Sequence, residues 1–334
     1  MSTLITKKGY KSELSLLETQ KAIKHLKDFF QTALAKKLQL TRVSAPLFVK
    51  ADTGLNDNLS GWEKAVTFET RFAQDLQIVH SLAKWKRKAI KSYGLEIGEG
   101  LYADMNAIRT AEVVSNIHSI YVDQWDWEKS IAKEDRSDAY LEKIVSDIFA
   151  VFKETEKYIN AIYPFLSPKL PEKITFITSQ ELLDMYPDYT DKERETAIVK
   201  KYGAVFLKQI GDKLSSGEPH DMRAPDYDDW ALNGDILVYN KPLDSVLELS
   251  SMGIRVSEES LVEQLIKADA QERLELPFHK ELLAKELPYT VGGGIGQSRL
   301  CMFFLEKIHI GEVQSSVWPE EMIIECKESG IELL

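Results

Sequence analysis

Gly292-Gly293-Gly294-Ile295-Gly296-Gln297-Ser298-Arg299 is the stretch that decides the fold. Four glycines in five positions forfeit side-chain packing and are entropically costly to order. Such a run marks backbone that needs unusual dihedrals or that a ligand approaches closely. Spacing excludes two common nucleotide folds. A dinucleotide fingerprint requires its third glycine three residues after the second, and counting from Gly294 and Gly296 that position holds Arg299. A P-loop ends in Gly-Lys-Ser/Thr, and the run contains no lysine. Only 35 residues follow Arg299, too few for the strand-helix-strand units that a Rossmann half would still require. The glycines therefore close a domain, with an obligate cation beside them.

Working outward, 334 residues of which 44% are hydrophobic can bury one large core or two modest ones. A formal charge of -11 argues against a protein whose main work is gripping a nucleic-acid backbone, although a local basic patch escapes that argument. The longest clear apolar run, Leu300 to Leu305, is far short of a membrane span, and Met1 to Tyr10 lacks the apolar centre of a signal peptide. The expected compartment is the cytoplasm. Cys301 and Cys326 match neither metal spacing nor a disulfide framework and read as reduced bystanders, and the histidines have no metal spacing either.

Residues 13 to 38 carry apolar side chains at three- and four-residue intervals and predict an amphipathic helix. Thr41 to Val49 is β-rich but holds Pro46, which points to an edge strand or an interface. A helix is expected from about Ser81 to Ser92, and strands near Leu101 to Ile108 and Ile117 to Trp127. Ala139 to Ile162 has helical spacing; Ile174 to Thr178 and Ala204 to Ile210 read as short strands separated by two polar helices. Gly211 to Asn233, with Pro219, Pro225 and an acidic cluster, reads as a long functional loop. Asp235 to Tyr239 and Leu247 to Val256 read as a strand pair, helices span about Ser257 to Ala284, and the glycine run leads into a final helix. Strands at both ends with helices between favour one α+β domain over residues 1 to 334, with an antiparallel sheet.

Several segments could carry chemistry. Strand alternation puts Val122, Gln124 and Asp126 on one face and Asp123, Trp125 and Trp127 on the other. Gln124 and Asp126 offer an amide and a carboxylate to an amino acid's charged groups, but a solvated strand face explains them at least as well. Upstream, Arg109 ends a strand, and a planar fork of donors there suits phosphate oxygens; a lone arginine is also commonly a surface residue. Asp235 and Glu248 on neighbouring strands would suit Mg²⁺ held against nucleotide phosphates, or be solvated acids. Alternation also puts Glu248 and Ser250 on one face. Lys84 to Lys88 carries four cations around Trp85, which fits a solvated helix face as well as weak RNA contacts.

Taken in order, these pieces resemble the signature set of class II aminoacyl-tRNA synthetase catalytic domains. Pro46 after the first helix resembles the dimer-interface motif; Arg109 with Ser119 to Trp127 resembles the second motif; Gly292 to Arg299 resembles the third. More specifically, five strings are similar to those of the bacterial ammonia-dependent asparagine synthetases: Asp57 to Gly61, His80 to Arg87, Tyr121 to Glu128, Arg223 to Trp230 and Glu248 to Arg255. The resemblance implies a mainly antiparallel sheet flanked by helices. It also implies a cytoplasmic homodimer that binds ATP, Mg²⁺, L-aspartate and ammonia and forms L-asparagine through a β-aspartyl-adenylate. It assigns catalysis to Asp57, Arg109 and Gln124, with Asp57 handling ammonia. It puts Ser81, Lys86, Gln124, Asp126, Ser250, Ser251 and Arg255 around the amino acid, Lys86 pairing with a carboxylate and Asp126 with the α-ammonium. Arg109, Arg223, Asp228, Glu248, Gly294 and Arg299 fall around the nucleotide, and Asp235 with Glu248 around the metal.

A tRNA-charging enzyme would share this adenylation site, but no anticodon-binding domain is recognisable in the flanks, and neither nucleic acid nor membrane is an expected partner. A glutamine-dependent synthetase is disfavoured because Ser2 stands where an N-terminal nucleophile would, with neither cysteine near that end. A non-catalytic relative that senses amino acid or nucleotide stays open at this level.

Overall fold

The computed structural model describes residues 4–57, 59 and 63–334. Ser2, and Asn58, Ser60 and Gly61 of the Asp57 string, lie outside them. In chain order the elements are α1 (Leu16–Leu38), β1 (Leu40–Arg42), β2 (Phe48–Lys50), β3 (Thr67–Phe68), β4 (Leu76–Ile78), α2 (Ala83–Tyr93), β5 (Gly100–Ile108) and β6 (Tyr121–Ser130). Next come α3 (Asp138–Ile162), β7 (Thr175–Thr178), α4 (Ser179–Met185), α5 (Asp191–Tyr202), β8 (Ala204–Lys208), β9 (Asp228–Asn240) and β10 (Ser245–Arg255). The last are α6 (Glu258–Lys267), α7 (Pro277–Leu283), β11 (Thr290–Gly296), α8 (Gln297–Phe304) and α9 (Glu320–Glu328).

Eight strands form one sheet in the order β1-β5-β6-β11-β10-β9-β8-β7. Its pairs are antiparallel except β1 with β5 and β7 with β8. One face is covered by α1, α3 and α8. Ala22, Leu26, Phe30, Leu34 and Leu38 of α1 recur every fourth residue and are all buried. The Phe30 ring lies 4.7 Å from Trp125 of β6 and 5.5 Å from Phe152 of α3, and burying each such ring is worth roughly 1.5–3 kcal/mol. A capping box between Ser15 and Glu18 satisfies the start of α1, and Gln39 in the left-handed region ends it. The opposite face carries α2 across the middle strands, while α4 and α5 close over the apolar side chains of β7, β8 and β9. Between those two coverings the face stays open.

Three local expectations change. Thr41 to Val49 is not one strand: β1 pairs at the sheet edge, Pro46 interrupts, and β2 joins β4 and β3 in a separate small sheet. The acidic end of the expected loop, Asp228 to Asn233, is already strand, since Arg255 and Arg136 supply the counter-charges that let those aspartates be buried. Finally, α8 is followed by a further helix, α9.

His309 shows how burial sets a pH limit on this fold. Its Nδ1 accepts from the backbone N–H of Gly311 at 3.0 Å, which requires the neutral ring, and burial pushes its pKa from 6.5 down to about 4. The unfolded chain takes up that proton below pH 6.5 and the folded chain does not, so stability falls as pH drops from 6.5 towards 4. From this group alone the loss between pH 7 and pH 5 should be about 2 kcal/mol. Urea titrations of wild type and His309→Gln at both pH values check it: the variant should lose less on acidification, and equal losses would contradict the assignment. Cys301 and Cys326 are free and buried, and burial raises the thiols to about 12 and about 11, well away from reactivity. Among the described residues no helix is long and apolar enough to cross a membrane.

Candidate active site

The glycine run is β11, in the interior of the sheet between β6 and β10. None of its four glycines has a positive φ, so unusual dihedrals are not the reason for them. Room is the reason. Gly296, Gly294 and Gly292 lie opposite Gln124, Asp126 and Glu128 of β6 and share their face. A Cβ on Gly292 would come within 2.6 Å of both Arg255 Nη2 and Trp127 O, and one on Gly294 would strike the Gln124 amide. With no side chains of its own, β11 is the floor of a trough over which side chains from both neighbours lean. Above it is a cavity of about 350 Å³, a size suited to a small polar ligand.

From β6, Gln124 and Asp126 line this cavity as strand alternation predicts, while Trp125 and Trp127 pack into the core behind. Arg109 lines it from the end of β5, its backbone N–H bonded to Ile120 O at 2.8 Å across the hairpin. The Arg109 Nε is buried and finds no acceptor among the described residues. Arg299, on the first turn of α8, donates to Glu248 O at 3.2 Å and to Ile117 O at 3.4 Å, tying the hairpin loop to β10. Gly294, Glu248, Ser251, Arg255, Arg223 and Asp228 complete the expected residues on the wall, with Ser81 at the start of α2.

Four expected residues are elsewhere. Ser250 is a correction: the ladder to β9 shifts register between Glu248 and Ser250, so the two do not share a face. Ser250 instead faces the core with Met252 and Ile254, its buried hydroxyl without a partner among the described residues, leaving Ser251 on the trough side. Asp57 is buried behind Ser81, whose hydroxyl donates to it. Lys86 is fully buried beneath Asp126, with which it pairs, and also donates to Trp127 O at 2.7 Å and Gly293 O at 3.3 Å. Its three protons are thus all committed within the protein, contrary to a lysine free to meet a substrate carboxylate. Asp235 pairs with Arg223 just below the wall, and its buried Oδ1 has no hydrogen-bond partner among the described residues. Burial pushes Asp235 up to about 6 in spite of Arg223, and the facing Glu248 adds to the rise. For Glu248 burial acts in the same direction, but Arg299, Arg223, Lys192 and Arg109 together hold it below its ordinary value. Two opposed carboxylates with an uncommitted buried oxygen fit a divalent cation that takes few protein ligands. Among the described residues no group of three or more metal-ligating side chains forms a complete cage.

Glu128 carries a role no single-residue expectation gave it. It is fully buried and binds Arg255 through both oxygens, Nε to Oε1 at 3.0 Å and Nη2 to Oε2 at 2.7 Å, while Asp228 takes Nη1. Burial would raise its pKa, but Arg255 and Lys86 outweigh that and keep it ionised. Continuing the alternation from Gln124 and Asp126 by two residues was the signal that reaches it.

The comparisons agree on one family and one fold. The family model described as aspartate-ammonia ligase matches residues 17–330. The chain is similar to an aspartate–ammonia ligase of Clostridium tetani, 62% identical over 99% of this chain and 98% of the relative. It is also similar to one of Clostridium perfringens, 62% identical over the whole of both chains, and to one of Ligilactobacillus salivarius at 55% over 99% of each. Among solved structures, asparaginyl-tRNA synthetase from Pyrococcus horikoshii, complexed with asparaginyl-adenylate, matches with a TM-score of 0.65 at 13% identity. That match covers 90% of this chain and 70% of the synthetase. The fold is that of the class II aminoacyl-tRNA synthetases.

Proposed function

The chain belongs to the aspartate–ammonia ligase family, and from that premise we propose that the trough over β11 is where aspartate is activated and ammonia transferred. It is an enzyme of ATP-dependent asparagine synthesis from aspartate and ammonia. A carboxylate is a poor acyl donor, so the side-chain carboxylate of aspartate attacks the α-phosphorus of ATP and pyrophosphate leaves; ammonia then attacks the acyl carbon, losing a proton as AMP departs. The observation that carries this reading is one cavity lined by Gln124 and Asp126 on one side and on the other by Arg109, whose buried Nε has no acceptor among the described residues.

Crowding anions at a phosphate demands fixed positive charge, which Arg109 after β5, Arg223 before β9 and Arg299 on α8 supply from three segments. Arg299 is a planar cation suited to stack on adenine, beside a floor at Gly294 that lets the nucleotide lie close. Asp126 takes the α-ammonium, and Gln124, Ser81, Ser251 and Arg255 the remaining polar groups of aspartate. Asp57 acts through Ser81, accepting a proton from the incoming ammonium so that neutral ammonia is the nucleophile. Mg²⁺ would be held by Asp235 and Glu248, and when bound it supplies charge neutralisation at the phosphates.

Incubation with aspartate, ATP, Mg²⁺ and ammonium should give asparagine, AMP and pyrophosphate in equal amounts without tRNA. ADP in place of AMP would overturn the adenylate, and a requirement for tRNA would overturn the ligase reading of this site. We also read residues 1 to 334 as one catalytic domain without an anticodon-binding module, working in the cytoplasm, which cell fractionation would check. The Pro46 segment, where Leu47 and Phe48 are exposed, is the proposed face of a homodimer; sedimentation should give twice 38.1 kDa.

A further inference from the structure

Gln264 of α6 is off the cavity wall, yet its buried amide is wholly committed to one stretch of backbone that forms part of it. Its Nε2 donates to Pro225 O and to Asp228 O, each at 3.0 Å, and its Oε1 accepts from Trp230 N at 2.8 Å. From the other side Val256 N donates to Tyr227 O at 2.9 Å. A second pin sits between these bonds. Asp226 is fully buried, and its Oδ2 accepts from Lys84 Nζ at 3.0 Å, from Arg273 Nη1 at 3.3 Å and from His279 Nε2 at 2.9 Å, in the ring tautomer that donates there. Burial would raise the Asp226 pKa, but these partners hold it far below the carboxylate range.

The consequence is directional. Asp226 points back into the protein, whereas Tyr227 and Asp228 point into the cavity, and Asp228 meets Arg255 there. The pins come from α2 and from the α6–α7 region, and their side chains do not reach the ligand space. Residues on the nucleotide side have separate anchors: Arg223 on Asp235, and Arg299 on Glu248 O. Loosening the Pro225–Trp230 stretch therefore reaches the Arg255 side of the trough first.

We propose that Gln264 is a positioning residue for the aspartate half of the site, acting through the backbone of Pro225, Asp228 and Trp230 to fix Tyr227, the Arg255 guanidinium and Asp228, which the resemblance puts at the nucleotide but which is bound to Arg255 here. This rests on the adenylation reading given above. A displacement of about 1 Å in a positioning group is enough to cost binding or rate without touching the reacting atoms. Gln264→Leu keeps the volume and removes all three bonds. It should raise KM for aspartate about tenfold in aspartate-dependent ATP–pyrophosphate exchange while KM for ATP moves less than about twofold. His279→Leu should do the same through Asp226, and His279→Gln, whose amide can still donate to that carboxylate, should restore wild-type values. A folded Gln264→Leu with unchanged KM for aspartate, or with both KM values raised alike, overturns the proposal. Should Gln264→Leu not fold, the pair at position 279 decides: identical behaviour of the Leu and Gln variants overturns it. Absence of asparagine synthesis by the unaltered protein would instead overturn the adenylation reading on which it stands.

Discussion

Arg109→Ala is expected to lower aspartate-dependent ATP–pyrophosphate exchange by roughly a thousandfold while leaving the fold as stable as wild type. The two halves of that expectation have one cause. A buried guanidinium N–H without an acceptor is costly, by about 1–3 kcal/mol for a buried polar group left unpaired, and Arg109 Nε is in that condition among the described residues. Its removal relieves the free protein and harms only the liganded one. Near it, Glu112 is pushed up by burial although Arg109 and Arg299 pull it down. An incoming triphosphate meets a cation with donors to spare. Arg109→Lys should recover only part of the rate, since an ammonium keeps the charge but not the two-pronged geometry. Exchange assays with a thermal melt on the same samples test both halves; wild-type exchange in Arg109→Ala would remove Arg109 from the phosphate site.

Much of this site was legible because β-strand alternation is a strict period. Gln124 and Asp126 face the trough and Trp125 faces the core as the sequence pattern requires. The same rule failed at Ser250, where a register shift in the β9–β10 ladder inserts one residue, and no residue type in Glu248-Leu249-Ser250 announces it. In sequence the glycine run reads as backbone shaped for a ligand. It is extended strand, and its missing side chains make way for Gln124, Glu128 and Arg255, whose proximity is a matter of sheet order. Gln264 and His279 had no signal at all, because each lies on a helix with ordinary amphipathic spacing and acquires its role only by what the fold sets against it. Acidic residues hid their surroundings: Asp226, Asp228 and Asp229 read as part of a long functional loop, and their burial depends on cations supplied from distant segments by Lys84, Arg255 and Arg136.

Lys86→Met is expected to destabilise the protein by roughly 3–5 kcal/mol, the cost of removing one partner from a buried ion pair. Lys86 is fully buried, pairs with Asp126, lies 3.6 Å from Glu128, and takes two carbonyls with its remaining protons. Methionine fills most of the stem's volume but leaves Asp126, among the described residues, with the Leu82 N–H at 3.0 Å as its hydrogen-bond donor. Glu128 would keep Arg255, so the damage should concentrate at Asp126, whose carboxylate would then be buried without its ion-pair partner. The outcome separates two roles. A lysine that served only to meet a substrate carboxylate could be replaced with no loss of stability in the ligand-free protein, and KM for aspartate alone would rise. If instead the lysine pairs with Asp126 and aims it, its loss must lower stability before any substrate is present and must weaken aspartate binding as a consequence. Urea denaturation of the ligand-free variant distinguishes them, because an unchanged midpoint would return Lys86 to the substrate's own contacts and leave the orientation of Asp126 to be explained without it.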